Sequence, residues 1–125
     1  DHPCFFYHKS ETNPLSRNPE AKILIAVDEE VNLKKREMCY WLAINQADPI
    51  RDVNINNGIL HVDACIKKQG DRGITRPWPN VCCSSLDTIQ AVDNYWERLK
   101  IGKPVVSPSL QFHALLRPGN AQISE

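Results

Sequence analysis

The side chains with chemical potential in this chain are its five cysteines, three of its four histidines, and one basic loop that carries a tryptophan. The cysteines are Cys4, Cys39, Cys65, Cys82 and Cys83, and none falls in a C-x-x-C or paired Cys/His metal spacing. Five in 125 residues is several times ordinary usage, and in a small domain excess cysteine reads as a disulfide framework. Cys82 and Cys83 are adjacent, so each is expected to take a different partner or one to stay free, because a bridge between neighbours is strained. The favoured arrangement joins Cys65 to Cys82 or Cys83, with Cys4 or Cys39 in a second bridge. The competing reading is five reduced thiols used as small hydrophobes, which apolar surroundings for all of them would favour.

His8, His61 and His113 come next. If the last strand of a sheet carries His113 and a hairpin arm carries His61, both leave the core face, and Asp63 shares the face of His61. Two imidazoles and a carboxylate could act as general base and acid in phosphodiester cleavage, since histidine titrates near neutrality. That makes His61, Asp63 and His113 the catalytic alternative; scattered surface histidines are the plainer explanation.

The third group is the loop from Lys67 to Asn80. Lys67, Lys68, Arg72 and Arg76 surround Trp78, which is held between Pro77 and Pro79. Tryptophan and arginine are common interface anchors, so these five residues are the expected binding site. Against this, Trp78 could fold back as a lid over a small core. Gly70 and Gly73 do not make a phosphate loop, and no nucleotide-binding, metalloprotease or hydrolase motif occurs. No cofactor and no metal is implied.

The elements that must position these groups can be sketched from pattern. Cys4 to Lys9 reads as a strand. Asn18-Pro19-Glu20 reads as a helix start, with a helix to about Lys34 and Ala21, Leu24, Val27 and Val31 as its buried stripe; the unbroken run Ile23 to Val27 also suits a buried strand. Met38 to Asn45 reads as a covered strand. Val53 to Ile55, Asn56-Asn57-Gly58 and Ile59 to Ile66 form a hairpin, because Asn and Gly tolerate the positive φ of tight turns. Ser84-x-x-Asp87 opens a second helix through Ile89, Val92, Trp96 and Leu99, with Gly102 as its stop. Val105-Val106 and Leu110 to Leu116 read as extended. Trp41, Trp96, Tyr40 and Tyr95 are expected in the core. The order predicts an α+β fold: an antiparallel sheet of four to five strands with two helices, as a disulfide-stabilised ferredoxin-like split-βαβ sandwich. The runner-up sets one helix on a five-stranded antiparallel sheet. Residues 1–116 form the domain and 117–125 a flexible tail.

Fifteen basic residues balance fifteen acidic ones, so no global field draws the chain to nucleic acid or anionic lipid. No apolar run is long enough to span a bilayer. No basic and apolar leader opens the chain, so a secretory signal is expected to have been removed before Asp1, and no Asn-x-Ser/Thr sequon supports secretion independently. The cystatin-like inhibitors share a Pro-Trp pair with Pro77-Trp78, but their Gln-x-Val-x-Gly hairpin is absent. In small size, excess cysteine, balanced charge and element order the chain resembles secreted microbial effectors and killer-toxin-like proteins. That resemblance implies an extracellular, non-catalytic protein that binds another protein or macromolecule, with an extracellular nuclease or hydrolase and an inhibitor or immunity-type protein as alternatives.

Overall fold

The computed structural model describes residues 3–121. The chain forms β1 (Cys4–His8), β2 (Ile23–Val27), α1 (Arg36–Gln46), β3 (Val53–Asn56), β4 (Ile59–Asp63) and α2 (Leu86–Leu99), with short 3-10 segments at Pro14–Ser16, Asp71–Gly73 and Pro108–Leu115. The four strands make one sheet in the order β1-β2-β4-β3. β1 runs parallel to β2 and β2 parallel to β4, while β3 is antiparallel to β4. The sheet is therefore mixed, which corrects the antiparallel, ferredoxin-like expectation while leaving the α+β class in place.

The correction has a local cause. Two central segments exchange roles relative to the pattern reading. Ile23–Val27 is a strand because its run of large apolar residues is covered on both sides, with Leu24 and Val27 fully buried; interior parallel strands read as continuous apolar runs. The Asn18-Pro19-Glu20 signal is a turn and not a helix cap: the Ala21 N–H donates to the Asn18 carbonyl, with proline at its favoured second position. Conversely, Arg36–Gln46 is helical and buries Met38, Cys39, Leu42 and Gln46, which is the spacing of one helical face. The hairpin forms as expected around Asn57 and Gly58, at φ of 50° and 75°, the pair of positive values that a tight two-residue turn needs. The last expected strand is instead the 3-10 segment Pro108–Leu115, where Pro108 supplies a helix-compatible φ at the start.

Register assigns the two faces. Phe6, Ile25 and Val62 are mutual partners and lie against α1, in a core with Val31, Leu42, Val81 and Leu115. Tyr7, Ala26 and Asp63 are partners on the opposite face. Phe112 from the 3-10 segment packs on Trp41 of α1, with ring centroids 5.1 Å apart, and closes the α1 side.

No disulfide forms among the cysteines, so the cross-linked framework is also corrected. Cys4, Cys39 and Cys65 are buried at 5%, 0% and 6% exposure and serve as small hydrophobes; Cys82 is exposed and Cys83 half-buried. Residues 117–121 are tied to the body. Ala121 exchanges backbone hydrogen bonds with Trp78 and Asn80, and the buried Asn120 amide donates to the Lys67 carbonyl. The remainder of the expected tail, 122–125, lies outside the described residues. Among the described residues no helix is long and apolar enough to cross a membrane.

Candidate functional site

The three parallel strands all end at the same edge of the sheet, and the loops that leave them enclose a cleft of about 240 Å³. This is the edge where open sheets with parallel strands place ligands. β1 delivers Lys9 and β4 delivers Asp63, Cys65 and Lys67, while the 70–73 loop folds over to add Arg72. β3 begins at the same edge, and the Asp63 N–H donates to the Asp52 carbonyl, so the hairpin sets Asp52 beside Asp63.

Asp63 is the centre of the site. Its Oδ2 accepts from Lys9 Nζ at 2.8 Å and from the Arg72 guanidinium at 2.6 Å, and its Oδ1 accepts the Cys65 amide at 3.2 Å. Burial alone would raise its pKa. The Lys9 hydrogen bond, the Lys67 charge and the Cys65 amide outweigh burial and hold the carboxyl at about 2. Lys9 is raised in turn, first by that same hydrogen bond. Lys9 and Arg72 are nevertheless half-exposed, at 54% and 49% of their side chains, whereas Asp63 is 14% exposed. The cations form the mouth of the cleft and the carboxylate its floor.

Behind the floor lies a second, buried carboxylate. Asp52 has no exposed side-chain surface and is surrounded by Arg51 at 3.0 Å, Lys67 at 3.4 Å and Arg72 at 3.4 Å, and it also accepts the Asp48 amide. Burial works to raise its pKa, but Arg51 and the Asp48 amide lead the contacts that bring it below the ordinary aspartate value. Lys67 is almost fully buried and donates to the carbonyls of Gln46 and Asp63, each at 2.7 Å. Burial lowers its pKa against the pull of Asp63 and Asp52. Its three ammonium protons are used inside the fold, and it works as a strut joining the end of α1 to the end of β4.

Arg72 reaches both carboxylates from a left-handed backbone, at φ 42° and ψ 42°, between Gly70 and Gly73. A non-glycine residue in that region carries backbone strain, a state that clusters where a loop must aim a side chain. Two glycines with positive φ on either side let the loop turn sharply enough to do so.

Of the residues expected to bind, the structure brings Lys67 and Arg72 into this cleft and divides the others. Lys68 and Arg76 are exposed. Trp78 folds back: its indole N–H donates to the Gln46 side chain at 2.6 Å and Arg51 stacks on its ring at 5.3 Å, so it fastens the loop to α1. The catalytic alternative is dispersed. His61 and Asp63 share the sheet face away from α1, but His113 sits in the 3-10 segment on the α1 side, with its Nε2 bonded to the Ser84 carbonyl. His8 lies on the α1 face and bonds the Val31 carbonyl. Sequence reasoning missed Lys9, Arg51 and Asp52. The available signal was positional: with Ile23–Val27 taken as a strand, the ends of β1, β2 and β4 coincide.

The protonation states limit what the cleft can do. A carboxyl held near 2 stays ionised across the physiological range and is a poor proton donor or acceptor near neutrality. The Cys65 thiol, pushed up to about 12 by burial and by the Asp28 and Asp63 charges, is no thiolate nucleophile. Among the described residues no group of three or more His, Cys, Asp or Glu is placed to hold a metal ion.

No protein-family model matches the chain. An uncharacterized protein of Archaeoglobus fulgidus is 30% identical across 63% of this chain and 20% of its own length, so the chain spans about a fifth of the curated relative it matches. Among solved structures, an evolved dimeric form of the UbiD-class enzyme HmfF from Pelotomaculum thermopropionicum, in complex with prFMN, aligns with a TM-score of 0.42 and 22% identity. That alignment covers 73% of this chain and 22% of the other. A likeness at that score carries no argument about fold or chemistry.

Proposed function

We propose that the domain acts by binding, and that the cleft at the ends of β1 and β4 receives a phosphate-type anion of its partner on Lys9 and Arg72. The observation that carries this reading is the convergence of two half-exposed cations on one carboxylate oxygen, Asp63 Oδ2. Lys9 and Arg72 are thereby preset side by side, with donors left over: an ammonium has three and a guanidinium five. A planar arginine fork beside a lysine matches the oxygens of a phosphate. Lys68 and Arg76, exposed on the same loop, extend the positive surface and suit a macromolecular partner that bears the anion.

This narrows the partner expected from the loop composition and drops its stated anchor, because Trp78 is engaged inside the fold. The extracellular setting had rested on disulfides. The thiols are unbridged, and an anion on Lys9 and Arg72 requires no particular compartment.

The test is a titration with inorganic pyrophosphate at low ionic strength, followed by amide nitrogen and proton shifts. Shifts concentrated at Lys9, Asp63 to Lys67 and Arg72, and abolished in Arg72→Ala, are expected. No saturable shift, or shifts centred elsewhere, would overturn the reading.

A further inference from the structure

The second helix of this chain is finished as an amphipathic element, yet little of the described chain packs on it. α2 opens with a working cap, the Ser85 hydroxyl accepting the Thr88 amide at 3.1 Å, and closes on Lys100 in the left-handed conformation. Its apolar residues recur at helical spacing, yet Ile89 is the one buried residue within it and Trp96 is half-buried, bonded to the Gly102 carbonyl. Val92, Tyr95 and Leu99, one stripe at three- and four-residue steps, are 45%, 57% and 49% exposed. The segment after the helix adds Ile101, Val105 and Val106 at 66%, 66% and 78%. Neither α1 nor any strand packs substantially against α2 among the described residues. A lone exposed apolar residue is ordinary, but a whole stripe of a capped helix marks a contact surface.

We propose that this surface is covered by a second copy of the chain, with the two α2 helices side by side and antiparallel. The charge distribution along the helix selects that occupant and that direction. Its first turn carries Asp87 and its middle Asp93; its last turn and the residues just beyond carry Arg98, Lys100 and Lys103 beside Glu97. The net charge is negative at one end and positive at the other. A parallel pair sets like ends together; an antiparallel two-fold pair sets each acidic end against the basic end of the other copy, so that one patch is complementary to itself. The helix, about 21 Å long at 1.5 Å per residue, then buries Val92, Tyr95 and Leu99 against their counterparts. This inference stands apart from the anion cleft, which lies at the edge of the sheet.

Sedimentation equilibrium of the whole chain tests it. The mass is expected to approach twice the 14.2 kDa of one chain at tens of micromolar. Val92→Glu and Leu99→Glu should each raise the dimer dissociation constant by about a hundredfold, as loss of a central apolar contact does, with unchanged far-ultraviolet dichroism because α2 supports little else. Orientation is read with a short thiol–amine cross-linker: Cys82, exposed just before α2, should join Lys100 of the second copy and give a covalent dimer on a gel. A chain that stays monomeric up to hundreds of micromolar, or a dimer that both variants leave intact, overturns the proposal. No covalent dimer with that reagent, together with ready joining of the two Cys82 thiols by a thiol–thiol cross-linker of similar length, overturns the antiparallel arrangement.

Discussion

The cleft at the strand ends and the surface of α2 have opposite deficits. In the cleft every buried polar atom has a partner: Asp52, Asp63 and Lys67 are enclosed and each is satisfied by charge or by backbone, and among the described residues no buried side-chain nitrogen or oxygen lacks a hydrogen bond. On α2 the first turn is capped by Ser85, while Val92, Tyr95 and Leu99 stay in water. Burying charge is costly unless geometry repays it, and leaving apolar surface exposed forfeits about 25 cal/mol for each Å² that could be covered. A fold that bears both conditions in one small domain places the two on different tasks. The charged region is completed within the chain and offers its rim to a ligand; the apolar region awaits a partner.

The contrast can be broken most severely at Asp52. Asp52→Ala removes a fully buried carboxylate and leaves Lys67 enclosed without it, so stability should fall by about 3 to 5 kcal/mol, the usual consequence of breaking a buried pair. Chemical denaturation of the variant checks this. Loss below 1 kcal/mol would mean that Lys67 is adequately held by the Gln46 and Asp63 carbonyls alone.

Asp63 gives the next largest effect, and it depends on pH. The folded carboxyl titrates at about 2 against an ordinary 3.8, so the unfolded chain binds the proton more readily. Its contribution, roughly 2 kcal/mol by linkage, is fully present above the unfolded value and is lost as the pH falls from there through about 2. Stability curves for the wild type and Asp63→Asn between pH 5 and pH 2 should therefore converge toward the acid end. Parallel curves would show that Lys9 and Lys67 do not hold the carboxyl down.

Smaller effects on stability belong to the rim and to α2. Lys9→Ala breaks a half-exposed pair and should cost no more than about 1 kcal/mol, yet it should weaken pyrophosphate binding clearly. Val92→Glu on the exposed stripe should change monomer stability by less than about 0.5 kcal/mol while it disrupts self-association. A large loss of stability in the dilute Val92→Glu monomer would show that α2 is packed within its own chain.

The hairpin and α2 were legible from sequence because their signals are local: Asn57-Gly58 dictates a turn, and Ser84-x-x-Asp87 followed by period-3.6 apolar residues announces a capped helix, although the cap is Ser85, one residue later than that box places it. β2 and α1 were exchanged because their decisive features are not local. Ile23–Val27 carries no alternation once both faces are covered, and Asn18-Pro19 serves a turn as well as a cap. Met38–Asn45, rich in large apolar residues, shows its helical spacing only when Met38, Leu42 and Gln46 are seen to face one side. The cleft inherited that error. Lys67 and Arg72 stood out by composition, but Lys9 and Asp52 lie 43 positions apart in the chain and come to either side of Asp63 only because β1 ends and β3 begins at the same edge of the sheet. The cysteines misled for a different reason: their number suggested bridges, whereas three of them fill buried apolar positions.

The central claim is that Lys9 and Arg72 together hold an anion, and calorimetric titration of inorganic pyrophosphate into the wild type and into the Lys9→Ala, Arg72→Ala double variant tests it most directly. Saturable binding by the wild type, weakened by added salt and at least about tenfold poorer in a double variant that remains folded, is the predicted result. Equal affinity in the two proteins, or no binding by the wild type, would contradict it.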